Sequence, residues 1–121
     1  MRPVNILVVD DDQSLCSSLS HFLESHGYMV YSAGDALQAL DVMERQSIGL
    51  IITDYLMPHV DGIRFTEMLK ADPRFQPIPV LLITASVDVT ISDRGLRKGV
   101  AMTLQKPVDM GQLLNLVRFA E

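Results

Sequence analysis

The sequence has one cysteine in 121 residues, no tryptophan, and no apolar run near the length of a membrane span. A lone Cys16 excludes an intramolecular disulfide and suits a reducing compartment. A spanning helix needs about 20 consecutive apolar residues, whereas aliphatic runs such as Val80–Ile83 have strand length. Basic residues are the minority charge, 10 against 15 acidic, for a net charge of −5. Domains that bind nucleic acid usually carry a basic patch or stripe, so direct nucleic-acid binding is not expected. No Walker-type loop and no GxGxxG follows the first apolar run, which leaves nucleotide binding without support. Repeats, low-complexity tracts and Ser/Gly-rich linkers are also missing. The start, Met1-Arg2-Pro3-Val4-Asn5, leads into a run too short for a secretory signal. The expectation is one soluble, cytoplasmic domain over residues 1–121, with no membrane partner.

What is present is alternation. Short branched-aliphatic runs predict strands over Asn5–Val9, Tyr28–Ala33, Leu50–Thr53, Val80–Thr84 and Met102–Gln105. Between them lie helical patterns. Leu15, Leu19, Phe22 and Leu23 share a face that stops at His26-Gly27, and Leu37, Leu40 and Met43 mark a second helix after Gly34-Asp35. Phe65, Met68 and Leu69 mark a third, residues around Asp88–Lys98 a fourth stopped by Gly99, and Leu113, Leu114 and Val117 the inward face of a fifth over Met110–Ala120. Three prolines between Pro73 and Pro79 forbid a regular helix there. The third strand is apolar up to Thr53 and reads as central; the fifth is less apolar and reads as an edge. Five βα units predict an α/β fold, a (βα)5 flavodoxin-like three-layer sandwich with a parallel five-stranded sheet in the order 2-1-3-4-5.

In such sheets ligands gather at the C-terminal ends of the strands. Four runs end there in reactive residues: Asp10-Asp11-Asp12, Asp54, Thr84 and Lys106-Pro107. One aspartate of the first group can cap a helix, and Asp12 is the one placed to do so. Adjacent carboxylates repel, so Asp10 and Asp11 are better explained by a bound cation, and Mg2+ accepts a few carboxylates while keeping several waters. Asp54 alone reads as a turn carboxylate; beside an acidic pair it becomes a candidate nucleophile toward phosphorus. Thr84 offers a hydroxyl, and Lys106 a charge that can pair with a carboxylate or a phosphoryl oxygen. His21, His26 and His59 have no metal-ligand spacing and read as surface residues, and Cys16 as inert packing.

Val8-Val9-Asp10-Asp11-Asp12, Asp54-Tyr55-Leu56-Met57-Pro58 with Asp61-Gly62, Thr84-Ala85, and Lys106-Pro107 together resemble the receiver domain of two-component response regulators, the family that includes the single-domain chemotaxis regulators. The resemblance covers essentially the whole chain. It implies that Asp54 accepts a phosphoryl group from a histidine kinase or phosphotransfer protein. It implies that Asp10, Asp11, Asp54 and the main-chain carbonyl of Leu56 hold Mg2+. Thr84 would then bind a phosphoryl oxygen, and Lys106 would pair with Asp54 or its phosphate. It also implies self-dephosphorylation, and a switch on the face of the fourth helix, fifth strand and fifth helix that controls an output domain or partner. A phosphorylation-dependent homodimer is compatible with it. Arg94, Arg97 and Lys98 lie near that face as a candidate contact surface.

One position departs from the pattern. Three residues before the lysine the family usually has Tyr or Phe, and here stands Thr103, so switching is expected to rest on the fourth helix and its loop, Ser86 to Thr90. Leu56 and Ser86 occupy positions that tune phosphoryl lifetime in the family. Neither orients water well, which predicts a long-lived phosphoryl state. The chain stops after the fifth helix, as expected of a stand-alone regulator or of a receiver from a longer protein. Two other readings compete. One is a haloacid-dehalogenase-like phosphatase with Asp10 as nucleophile; the other is a docking pseudo-receiver that is never phosphorylated.

Overall fold

The computed structural model describes residues 3–121; Met1 and Arg2, part of the start read above as carrying no signal, lie outside it. The chain alternates strictly: β1 (Ile6–Val9), α1 (Gln13–Glu24), β2 (Val30–Ala33), α2 (Ala36–Arg45), β3 (Leu50–Asp54), α3 (Gly62–Lys70), β4 (Val80–Thr84), α4 (Val89–Lys98), β5 (Met102–Gln105) and α5 (Met110–Ala120). The five strands are parallel, in the order β2-β1-β3-β4-β5. β3 is central and wholly buried, and β5 lies at an edge with Met102 and Gln105 exposed.

Period-two alternation sends neighbouring strand residues to opposite faces. Ile6, Val8, Leu50, Ile52, Leu81, Ile83 and Leu104 pack with α1 and α5 around Leu19, Leu23, Leu113 and Val117. Leu7, Val9, Ile51 and Val80 pack with α2 and α3 around Ala39, Met43, Phe65 and Leu69. A smaller cluster of Ile63, Leu82 and Val100, with Tyr55 and Ile91 beside it, seats α4.

Each helix begins with an aspartate. Asp12, Asp35, Asp61, Asp88 and Asp109 are the N-caps, and their side chains accept hydrogen bonds from backbone N–H groups of the first turn. A cap of this kind is worth about 1 kcal/mol. In a parallel βα fold all five helix N-termini open onto the same edge of the sheet, so the positive ends of their dipoles face the C-terminal ends of the strands. α4 ends on Gly99, whose φ of 109° is the left-handed C-cap geometry that glycine supplies without strain. The proline-rich segment after α3 is a run of turns. Lys70 ties it down, donating to the carbonyls of Gln76 at 2.9 Å and Ile78 at 2.7 Å, and burial lowers its ammonium below the usual lysine value.

Two expectations need correction. The second strand begins at Val30 rather than Tyr28. Tyr28 instead turns into the core, its N–H donating to the Leu23 carbonyl and its hydroxyl to Glu121. In α2, Leu37 is 77% exposed, and the buried stripe is Ala36, Ala39 and Met43. Small residues on that stripe let the helix lie close to β1 and β2.

Candidate functional site

The site follows from register. Val9 pairs with Thr53 across β1 and β3, Asp54 with Ile83 across β3 and β4, and Thr84 with Gln105 across β4 and β5. Asp10, one residue beyond Val9, therefore stands level with Asp54, and Lys106 one step beyond Thr84. Asp10 keeps the parity of Ile6 and Val8, Asp54 that of Leu50 and Ile52, and Lys106 that of Leu104. All three side chains emerge on the α1/α5 side. Thr84 has the parity of Leu82 and emerges on the α4 side.

Contacts agree with that reading. Lys106 Nζ lies 3.3 Å from Asp10 Oδ2 and 3.3 Å from Asp54 Oδ1. Asp10 is held from the other side by the Asp12 N–H, which donates to its Oδ1 at 2.9 Å. Asp10 and Asp54 are buried and Asp11 is exposed. One carboxylate oxygen from each of Asp10, Asp11 and Asp54 can be chosen so that all lie within 4.8 Å of one another. The peptide bond between Lys106 and Pro107 is cis.

Charge is crowded here. Burial, joined by the negative charge of Asp10, raises the Asp54 carboxyl above its ordinary range despite the opposing pull of Lys106. Burial alone would lower the Lys106 ammonium, but Asp54 and Asp10 together hold it above the usual lysine value. Three carboxylates thus cluster at a site with one ammonium, which pairs with Asp10 and Asp54, leaving an excess of negative charge with an exposed member. Such a donor set fits a hard divalent cation that keeps part of its water shell. It does not fit a soft metal, for which thiolate or imidazole would be expected. Cys16 donates its thiol to the Asp10 carbonyl at 3.3 Å, below the site. His21, His26 and His59 are exposed and none joins the cluster.

Thr84 is 5% exposed and its hydroxyl oxygen accepts from the Ser86 N–H at 3.0 Å. Ser86 Oγ in turn accepts from the Asp88 N–H at 3.0 Å, and Asp88 caps α4 through the Thr90 N–H at 2.9 Å. A chain of hydrogen bonds thus runs from the site hydroxyl to the start of α4. The sequence placed Ser86 to Thr90 in this loop without revealing the chain. Two further contributions were missed. Gly62 presses against the Asp54 carbonyl, where any Cβ would collide with backbone; the sequence named Gly62 as part of the Asp61-Gly62 motif without revealing that contact. Arg94 and Lys98, read as candidates for an outer contact face, turn toward α3: Arg94 donates to the Tyr55 hydroxyl and Lys98 pairs with Glu67. Leu56 projects into solvent beside the site, 70% exposed. A surface groove starts at Asp10 and Asp11 and runs along α1 past Ser17 to Gln38, and Asp54, Thr84 and Lys106 do not line it.

Comparison with known proteins agrees with this geometry. A family model described as the response regulator receiver domain matches residues 6–118. Response regulator Rre1 of Synechocystis sp. is 36% identical over 97% of this chain and 51% of its own length. Transcriptional regulatory protein ZraR of Klebsiella oxytoca is 40% identical over 91% of this chain and 24% of its own. The chain therefore spans about half or less of these two relatives. A solved response regulator receiver protein from Pseudomonas putida superposes with a TM-score of 0.91 at 32% identity, covering 98% of both chains. No helix among the described residues is long and apolar enough to cross a membrane.

Proposed function

The chain belongs to the response regulator receiver domain family of two-component systems, and from that premise we propose that residues 1–121 act as one phosphorylation-controlled switch with Asp54 as the phosphoacceptor. The observation that carries the reading is the triangle of Asp10, Asp54 and Lys106 at the end of the central strand. Asp54 is the carboxylate at its centre: it ends β3, touches Lys106, and lies beside the hydroxyl-bearing end of β4.

In the proposed reaction a carboxylate oxygen of Asp54 attacks the phosphorus of a phosphohistidine on a histidine kinase or phosphotransfer protein. The P–O bond forms as the P–N bond breaks, and the imidazole leaves with its electron pair. Lys106 balances charge on the Asp54 oxygen and on the incoming phosphoryl group. Asp10, Asp11, Asp54 and the Leu56 carbonyl are the groups that would hold Mg2+. Bound there, the cation would neutralise the charge that gathers between the carboxylates and the phosphoryl oxygens. Reversal by water would regenerate Asp54 and release phosphate, which makes the domain a catalyst of its own turnover only.

Transfer replaces the single charge of the Asp54 carboxylate with a dianionic acyl phosphate, a net gain of about one negative charge, and puts three strong acceptors beside Thr84. A Thr84 hydroxyl drawn to a phosphoryl oxygen disturbs the chain through Ser86 and Asp88 to the cap of α4. The α4–β5–α5 face then shifts between two packings and signals to an output domain or separate partner, a change of population rather than of fold. The phosphatase reading, with Asp10 as nucleophile, draws no support from the family match, which is to receiver domains.

Incubation with acetyl phosphate and Mg2+, followed by intact and peptide mass spectrometry, tests the assignment. A phosphoryl group on Asp54 that is absent in Asp54→Asn is the expected result. Modification of Asp10 would overturn it in favour of the phosphatase, and no modification would favour a docking module.

A further inference from the structure

Helix α4 is shallowly seated. Of its described residues Gly95 is the one that is buried, Val89 and Leu96 face solvent, and Ile91 reaches the small cluster under the helix. Two polar contacts on the α3 side hold it. Arg94 Nη2 donates to the Tyr55 hydroxyl oxygen at 2.8 Å, with the guanidinium 5.8 Å from the ring centroid, and Lys98 pairs with Glu67 at 2.9 Å. The Tyr55 backbone is itself fixed: its N–H donates to the Ile83 carbonyl at 2.8 Å and its carbonyl accepts from the Gly62 N–H at 2.7 Å. Tyr55 is thus a braced arm, covalently joined to Asp54, whose far end grips α4. On β5, Thr103 pairs with Leu82, and its Oγ1 is buried with no hydrogen-bond partner among the described residues.

Resting on the phosphoacceptor reading above, we propose that the Arg94–Tyr55 contact is a clamp that holds α4 in one of two positions, and that its release is coupled to the state of Asp54. A buried hydroxyl without a partner disfavours the packing that contains it. The clamped position therefore carries a built-in bias toward change, and a shift of α4 that opens the Thr103 hydroxyl to a partner relieves it. The hydrogen-bond chain from Thr84 through Ser86 and Asp88 acts on the first turn of α4, while the clamp grips the middle of the helix. The two devices oppose each other across one element. By linkage, anything that loosens the clamp must raise affinity for a ligand that favours the released position.

The test titrates beryllium fluoride with Mg2+, as a mimic of the phosphoryl group, into the 121-residue chain. Hydrogen exchange across residues 89–98 is followed with and without the mimic. Tyr55→Phe removes only the hydroxyl, and Arg94→Ala removes the guanidinium with both its hydrogen bond and its contact with the Tyr55 ring. Both should exchange faster in α4 before any mimic is added and bind the mimic roughly threefold more tightly, as expected for loss of one exposed hydrogen bond. Thr103→Val removes the orphaned hydroxyl at similar shape and should do the reverse in both readouts. If the wild type binds the mimic and the three variants match it in affinity and exchange, the clamp is overturned and the phosphoacceptor reading stands. A wild type that binds no mimic overturns the phosphoacceptor reading, and the coupling with it.

Discussion

Gly62 lies so close to the main-chain oxygen of Asp54 that a Cβ at position 62 would penetrate it, and would also come within 2.8 Å of Leu82 Cδ1. The first turn of α3 is therefore pressed against the backbone that carries the central carboxylate. Gly62→Ala should force the loop from Tyr55 to Asp61 away from the sheet. The expected cost is about 1–3 kcal/mol, typical of overpacking, with a loss of acetyl phosphate labelling of about tenfold or more, since small misplacements of reacting groups are expensive. Denaturant unfolding and labelling rates measure the two effects. Labelling at the wild-type rate would show that the loop can back away without moving Asp54.

The crowded charge at Asp54 has a consequence for stability in metal-free protein. Burial and the neighbouring Asp10 raise its folded-state pKa above the ordinary carboxylate value of about 3.9. A raised acid binds its proton more tightly in the folded state. Its stabilising contribution is complete below the unfolded pKa and is lost as pH rises through the folded one. Asp54→Asn keeps the shape without the charge, and should stabilise the protein near neutral pH by about 1 kcal/mol, or roughly 4 °C in Tm. That gain should shrink as pH falls toward about 4. A gain of equal size at both pH values would point to packing rather than charge.

Mg2+ should raise Tm, because a ligand that binds only the folded state stabilises it by about 2.7 kcal/mol at a hundredfold excess over Kd. Asp11 is exposed, so Asp11→Asn should leave the metal-free Tm almost unchanged while removing most of the Mg2+ response. Thermal melts with EDTA and with increasing Mg2+ measure this. An undiminished response in the variant would take Asp11 out of the ligand set.

Phosphoryl loss should be slow. Leu56 projects into solvent and has no polar atom with which to orient water, and the Ser86 hydroxyl oxygen is engaged as acceptor for the Asp88 N–H. Leu56→Asn should speed loss of label from isolated phosphoprotein by about tenfold, less than the roughly hundredfold or more that a full general acid or base contributes. Decay of radiolabel at fixed pH measures it, and an unchanged half-life would place control of lifetime elsewhere.

The local sequence by itself determined the alternation of strands and helices, because side-chain period and chain breakers act over a few neighbouring residues. Leu50–Thr53 announced a central strand, Gly99 a helix end, and Pro73 to Pro79 a connection. It also determined which residues end the strands. Since every strand is parallel, that was enough to bring Asp10, Asp54, Thr84 and Lys106 to one edge. The tertiary structure decided what each side chain meets. A helical pattern could not reveal that Leu37 faces water while Ala36 and Ala39 face the sheet, because the distance between packed layers selects the small residues. Nor could it reveal that Arg94 reaches back 39 positions to Tyr55, that Gly62 braces Asp54, or that the buried Thr103 hydroxyl has no partner among the described residues. Those facts depend on contacts between segments far apart in the chain, and only the packing of α3 and α4 against the sheet fixes such distances.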